Sequence, residues 1–284
     1  MSITTSRNNF NSLTLSGFFC YVLKMKKCFF FIALILLYTE NTYSFELKGL
    51  LPVDPYGVFS TFSTESLPQG KVAVATGLEV SDSPDLYRFI LKSAYGISNT
   101  VELNLTLPYE FGSDVKDGFE DFALGVKHRF FEEGKFGPSL AYIVTVSLPT
   151  GSNQLTTEGR YGAGFLVSKR VGPFNGHMDF FYEKTGSGEF HREVIFLTGF
   201  DFAVAHNFKL LSELDIRKSH DSKKVDLIEA KIGYRIRTTD SIYTTFGAGF
   251  DLKNRHPQTR LMFTVTFLSP TEKKKIQRIY EEEE

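Results

Sequence analysis

The sequence predicts an all-β protein, a closed antiparallel up-and-down transmembrane β-barrel of about twelve strands. Periodicity is the first reason. Over residues 225–252, Ile228, Ala230, Ile232, Tyr234 and Ile236 fall on one face and Glu229, Lys231, Gly233, Arg235 and Arg237 on the other, a period of two. After Thr238, Thr239 and Asp240 the habit resumes, with Ile242, Thr244, Phe246, Ala248, Phe250 and Leu252 on one face. Length is the second reason: strands of about ten to twelve residues exceed the usual five or six and are long enough to cross a bilayer at a tilt. One face apolar and one charged is what lipid outside and a polar interior require.

Composition is the third reason. Hydrophobic residues make up 42 % of the 284 residues, with no long apolar run beyond the N-terminus. That excludes a helical membrane protein and suits alternating strands. With 29 Phe, 13 Tyr and no Trp, an interfacial aromatic girdle has to be built from Phe and Tyr. The net charge is −1, and residues 1–44 hold Arg7, Lys24, Lys26 and Lys27 against Glu40, leaving 28 basic and 32 acidic side chains in the remainder. Such weak acidity gives no reason to expect nucleic acid. Both cysteines, Cys20 and Cys28, lie in the N-terminal segment, so the remainder needs no disulfide framework, as fits a Gram-negative envelope protein held by its own hydrogen-bond ladder.

Taken in order, residues 1–24 read as an upstream extension from a start called too early. Met25, Lys26 and Lys27 precede the apolar run 28–38, and Thr42, Tyr43 and Ser44 follow it. This is the layout of a signal peptide over 25–44, with cleavage before Phe45. Residues 45–70 contain Pro52, Pro55 and Pro68 and read as a periplasmic lead-in, part of which is a candidate plug.

The barrel is expected over 71–268, with alternating segments at 71–80, 86–95, 100–109, 119–131, 138–149, 160–171, 176–185, 191–203, 208–218, 225–237, 241–252 and 259–268. Tight turns near 98–99, 133–134, 173–174, 206–207 and 239–240 alternate with looser polar loops, as in barrels whose two ends lie in the periplasm. Pairing expectations follow from parity: Lys92 near Glu102, Asp201 near Lys209, and, across a four-residue loop 172–175, Arg170 with His177 and Ser168 with Asp179. Residues 269–284 form a charged periplasmic tail.

The segments LKSAYGISNTVELNLTLPY (91–109), FEDFALGVKHRFF (119–131), VTVSLPTGSN (144–153) and LVSKRVGPF (166–174) resemble the MetA-pathway of phenol degradation family of outer-membrane β-barrel transporters. The likeness covers roughly 70–268. It implies a secreted barrel that passes or binds small, often hydrophobic, compounds, and brings no substrate. Sixteen residues follow the closing strand, a departure from barrels that end on its aromatic.

A search for chemistry yields no catalytic residues, no metal site and no cofactor. Ser168 and His177 flank one turn, but their expected facing is lumenal, whereas a barrel lipase directs its nucleophile toward lipid. His177 and Asp179 share a face without a third ligand. The candidate lumen-lining residues are Arg88, Lys92, Glu102, Lys127, Arg129, Asp201, Lys209, Glu213, Asp215, Arg217, Glu229, Lys231, Arg235 and Arg237, with Arg170, Asp179, Glu183, Glu193 and Asp251 facing the same way. Twelve strands lie between barrels packed solid and barrels that hold water.

These readings point to a monomeric, porin-like outer-membrane barrel acting as a passive channel or binding protein for small, hydrophobic or anionic solutes. Its partners are outer-membrane lipid, a small-molecule solute and the barrel-assembly machinery. An outer-membrane hydrolase of the phospholipase type, or a structural barrel without transport, are the alternatives. Lys231, Arg235 and Arg237 form a basic ladder on one strand, so a water path along it should favour anions, and Gln at 235 and 237 should shift selectivity toward cations. An Asp at outward Ile232 should block assembly, while inward Gly233 should tolerate it. The N-terminal reading is checked by mass spectrometry of the envelope protein. A mature start near Phe45 is expected, and peptides from 1–24 would overturn it.

Overall fold

The computed structural model describes residues 49–82, 85–112, 117–135, 137–152, 155–185, 192–219, 225–253 and 259–270. The expected upstream extension and signal peptide, and nearly all of the tail, lie outside them. Among the described residues the chain is strand and connection throughout. A small hairpin, β1 (Gly57–Val58) and β2 (Thr61–Phe62), comes first. Then follow β3 (Val72–Asp82), β4 (Asp85–Gly96), β5 (Val101–Gly112), the short β6 (Gly118–Phe119), β7 (Phe122–Phe131), β8 (Ser139–Leu148), β9 (Arg160–Val171), β10 (Phe174–Thr185), β11 (Glu193–Ala205), β12 (Phe208–Ser219), β13 (Leu227–Thr239), β14 (Ile242–Asp251) and β15 (Thr259–Leu268).

Twelve long strands, all but β1, β2 and β6, pair antiparallel with their neighbours, and β15 returns to β3 to close the ring. Met262 lies opposite Glu79 and Phe267 opposite Val74 across that seam. Closure is what lipid demands, since an open edge would leave a row of amides without partners in hydrocarbon. The spur β6 adds two residues to β5 before β7 takes over the pairing. The break is held by Asp121: burial works against its carboxylate, but hydrogen bonds from the Thr157 hydroxyl and N–H and the Gly151 N–H keep its pKa below the ordinary range.

The outer face is apolar and aromatic. Ile232, Phe180, Val144, Tyr161, Phe165 and Phe200 are exposed, as an isolated chain's lipid-facing side must be. Rings pair across strands, as in Tyr234 with Phe246 and Phe130 with Tyr142. His128 lies among these outward residues and meets the Tyr142 hydroxyl at 3.0 Å.

Pairings at two hairpins differ from the sequence reading. The β9–β10 connection is a two-residue turn, Gly172 and Pro173, with Val171 opposite Phe174. Gly172 takes φ 60°, a left-handed conformation that glycine adopts at no steric cost. Arg170 therefore faces Asn175, and Ser168 faces His177. Nor do Lys92 and Glu102 pair across β4 and β5: Lys92 lies opposite Thr106 and Glu102 opposite Gly96. Asp201 and Lys209 do meet, at 2.8 Å.

The ring is not empty. Residues 50–67 run inside it, and Leu51, Val53, Val58, Phe62 and Leu67 are buried. Phe62 packs on Ala141, Ile143, Leu166, Phe181, Ile195 and Leu197, all inward-facing residues of β8 to β11. Val53 and Leu67 pack on Ala73, Ala75 and Ala94. Burying a side chain such as Phe62 contributes about 1.5–3 kcal/mol. Residues 45–70 are thus no simple lead-in, since their described part is an internal plug.

The plug is keyed to the wall at Phe59, whose φ of 45° is unfavourable for a bulky residue. Its ring lies over Gly233 and Gly247, which are cross-strand partners. A Cβ at Gly247 would come within 2.3 Å of the ring, and one at Gly233 within 2.9 Å of it and 2.0 Å of the Phe246 carbonyl oxygen. The expected tolerance of Gly233 is therefore corrected: inward facing does not mean free space. Ile232→Arg should cost about 2–4 kcal/mol at mid-barrel, and Gly233→Asp should be comparably harmful. Urea titration followed on unheated gels checks both, and a Gly233→Asp protein as stable as the parent would show that Phe59 is not seated there.

Candidate functional site

The inner wall holds the plug mainly through its backbone. The Glu213 Oε2 accepts the Ser60 and Thr61 N–H groups and the Thr61 hydroxyl, each at 2.8 Å. Asp179 Oδ2 accepts the Phe62 N–H at 2.5 Å, Ser168 Oγ the Thr64 N–H at 3.0 Å, and Glu102 Oε2 the Leu67 N–H at 2.7 Å. Basic side chains take the carbonyls: Lys127 Nζ donates to the Ser63 and Glu65 oxygens at 3.1 and 2.6 Å, and Arg235 Nη2 to the Gly57 oxygen at 2.8 Å. Alternation places these residues on one face of six strands. It leaves a polar wall that can meet main-chain groups which the short β1–β2 hairpin leaves unpaired.

The Asp54 side chain anchors the plug's first turn. Asp54 pairs with Arg235 Nη2 through one oxygen, and its other oxygen accepts the Thr245 hydroxyl at 2.7 Å. Arg235 Nε completes the triangle by donating to Thr245 Oγ1 at 3.1 Å.

Thirteen of the fourteen candidate lining residues separate into three groups. Glu102, Lys127, Glu213, Lys231 and Arg235 are buried against the plug, with Lys127 bridging to Glu102 at 3.1 Å and Lys231 to Glu213 at 2.8 Å and Glu229 at 3.4 Å. Arg88, Asp215, Arg217 and Glu229 are also buried but engage the wall itself, Arg88 with Glu120 and Glu79, and Arg217 with Asp215. Arg129, Asp201, Lys209 and Arg237 lie toward the tight-turn end, where Arg129 meets Glu132 and Arg237 meets Asp240. Lys92 belongs to none of these. It is buried, and among the described residues it makes no ion pair or hydrogen bond.

The basic ladder of β13 is therefore neutralised along its length, by Glu213 and Glu229, by Asp54 of the plug, and by Asp240. A cavity of about 180 Å³ remains beside it at the tight-turn end, lined by Arg170, Asn175, Asp201, Lys209, Arg235, Arg237 and Tyr243 and floored by Ser63 and Glu65 of the plug. Two smaller cavities, each about 30 Å³, flank the plug deeper in.

Ser168, His177 and Asp201 come closer together than the sequence register allows. Ser168 Oγ meets His177 Nδ1 at 2.8 Å, and His177 Nε2 lies 3.6 Å from Asp201. The chain has the residue types of a hydrolytic relay, but its serine oxygen also accepts the Thr64 N–H and is buried beneath the plug. It thereby holds the Thr64 amide of the plug. Among the described residues no group of three or more His, Cys, Asp and Glu side chains is arranged to hold a metal.

Sequence reasoning missed the apolar half of this site. Leu166, Phe181, Ile195 and Leu197 share parity with the charged residues of their strands, and Ala141 and Ile143 with Ser139, Thr145 and Ser147 of theirs; an apolar residue on the polar face was the available signal of an internal occupant.

No family model matches the chain, and no curated protein sequence matches it. Solved structures of similar fold do. An outer-membrane channel from Pseudomonas putida F1 is 13 % identical, with 72 % of this chain and 98 % of that chain covered and a TM-score of 0.56. The KdgM porin is 11 % identical over 70 % of this chain and 99 % of its own, at 0.54. The NanC porin is 10 % identical over 69 % and 98 %, at 0.51. At such identities the likeness is one of fold, and the fold is that of bacterial outer-membrane barrels. Substituting Glu213→Ala should leave two buried amides without an acceptor, at about 1–3 kcal/mol each. Hydrogen exchange should then speed at residues 60–62 by about tenfold or more, and unchanged protection there would show that Glu213 does not hold the plug.

Proposed function

We propose that this barrel is a small-solute channel of the bacterial outer membrane, held closed here, with residues 50–67 as the gate. The observation that carries the proposal is the manner of closure. The lumen is filled by a tethered segment held largely by main-chain hydrogen bonds to side chains, and the wall beneath it stays polar and charged. A barrel built only as a solid post could fill its interior with wall side chains, as smaller barrels do. Here the filling belongs to one continuous segment that can leave as a unit. The similar folds support the reading, and KdgM porin is known in complex with disordered oligogalacturonate, which supports a small solute as the partner. The phenol-degradation family expected from the sequence is matched by no family model, so the reading rests on the fold, and the paired charges of the wall favour polar or anionic solutes over purely hydrophobic ones. Hydrolysis is not favoured, because the serine relay faces the plug.

The expected anion path along Lys231, Arg235 and Arg237 changes meaning in this light. Replacing Arg235 releases Asp54, so its first effect falls on closure and only then on selectivity. The test is solute uptake by protein-loaded liposomes. The parent should admit sugars slowly, and the double variant Asp179→Asn, Glu213→Gln should admit them faster. If neither protein exceeds empty liposomes, the barrel is not a channel.

A further inference from the structure

We propose that Arg235, Thr245 and Lys92 form a carboxylate-binding station in the lumen, that Asp54 is its resident occupant, and that a solute carboxylate taking Asp54's place opens the gate. The inference deepens the channel reading above and rests on it for the gating step alone. A buried carboxylate bound by a guanidinium and a hydroxyl is a charge-assisted arrangement that any carboxylate of suitable size satisfies. Asp54 reaches Arg235 with one oxygen and Thr245, at 2.7 Å, with the other. It is supplied by the plug and not by the wall, so the acceptor half of the pair leaves when the plug does.

Lys92 is the independent observation. It is 6 % exposed and without a hydrogen bond or ion pair among the described residues, and it lines the same 30 Å³ cavity as Asp54 and Thr245. The remaining acid of that cavity, Glu79, is within reach of Arg88 at 3.5 Å and Arg260 at 3.8 Å. The station therefore holds two cations for one carboxylate, and a buried ammonium of that kind favours a second anion. Leu51, Phe59, Ile90 and Met262 line much of the rest, with Ser60, Gly77 and Thr264 among them, which suits a carboxylate on a small, partly apolar body. The ligand class is a small organic monocarboxylate.

The experiment titrates full-length protein in detergent with benzoate, by calorimetry, with neutral benzamide as the control. Asp54→Asn removes a tethered competitor and should tighten benzoate binding by at least about tenfold. Arg235→Gln should abolish binding, and Lys92→Gln should weaken it while leaving the Asp54 pair intact. Folding of each variant is checked by its unheated gel mobility, and if Arg235→Gln does not fold, Lys92→Gln decides. Equal binding of benzamide, benzoate binding unchanged by Lys92→Gln, or no gain in Asp54→Asn would overturn the station. Planar-bilayer recording separates the two readings: benzoate should raise open time in the parent protein. Saturable, Lys92-dependent binding with no conductance in any variant would keep the station and remove the channel.

Discussion

In hydrocarbon an unpartnered backbone amide costs several kcal/mol, and that constraint governs everything else in this molecule. It requires the ring to close, and the β15–β3 seam closes it. Closure in turn turns half of every strand inward, where no lipid can cover it. The same rule then applies inside: a segment threaded through the ring must find partners for its own amides. The wall supplies them as carboxylates, a serine and lysines, which is why charges populate an interior from which bulk water is largely excluded.

Buried ion pairs are seldom net stabilisers, because desolvation offsets much of their attraction. Their abundance here makes more sense as specification than as glue. Hydrophobic contact, chiefly Phe62 on the β8–β11 wall and Val53 with Leu67 on the small residues of β3 and β4, adds to the hold of the wall's hydrogen bonds on the plug. The carboxylates then choose one depth and one register for it. Shifting the segment by a single residue would break the match of Glu213 with two successive amides and remove Phe59 from its glycine niche.

Most of the barrel was legible in the sequence because strand alternation is local information. Strand positions agree within a few residues, and outward Ile232 and inward Arg235 follow from counting by twos. The plug was legible only as a candidate. Residues 50–67 alternate weakly, since their burial depends on contacts with strands more than a hundred residues away. The β9–β10 register was lost for a simpler reason: Gly172 and Pro173 make a tighter turn than a four-residue loop, and this moved His177 from Arg170 to Ser168. The candidate lining residues were read as a path, whereas their partners reveal a lining already occupied. Nothing local in Asp54 announces that it faces Arg235, 181 positions on.

The tether of the plug also sets an order of events. Only Pro68, Gln69, Gly70 and Lys71 separate Leu67 from β3, and Gly70 and Lys71 are bound to Gly96 at the ring's end by bonds of 2.8 and 3.0 Å. The strand that completes the seam is therefore the same strand that carries the plug. A hairpin-bearing segment tethered at one end is most simply surrounded while the seam is still open. The last act of biogenesis would then be the zipping of β15 onto β3 over cargo already aboard, much as a coat is buttoned over what it encloses.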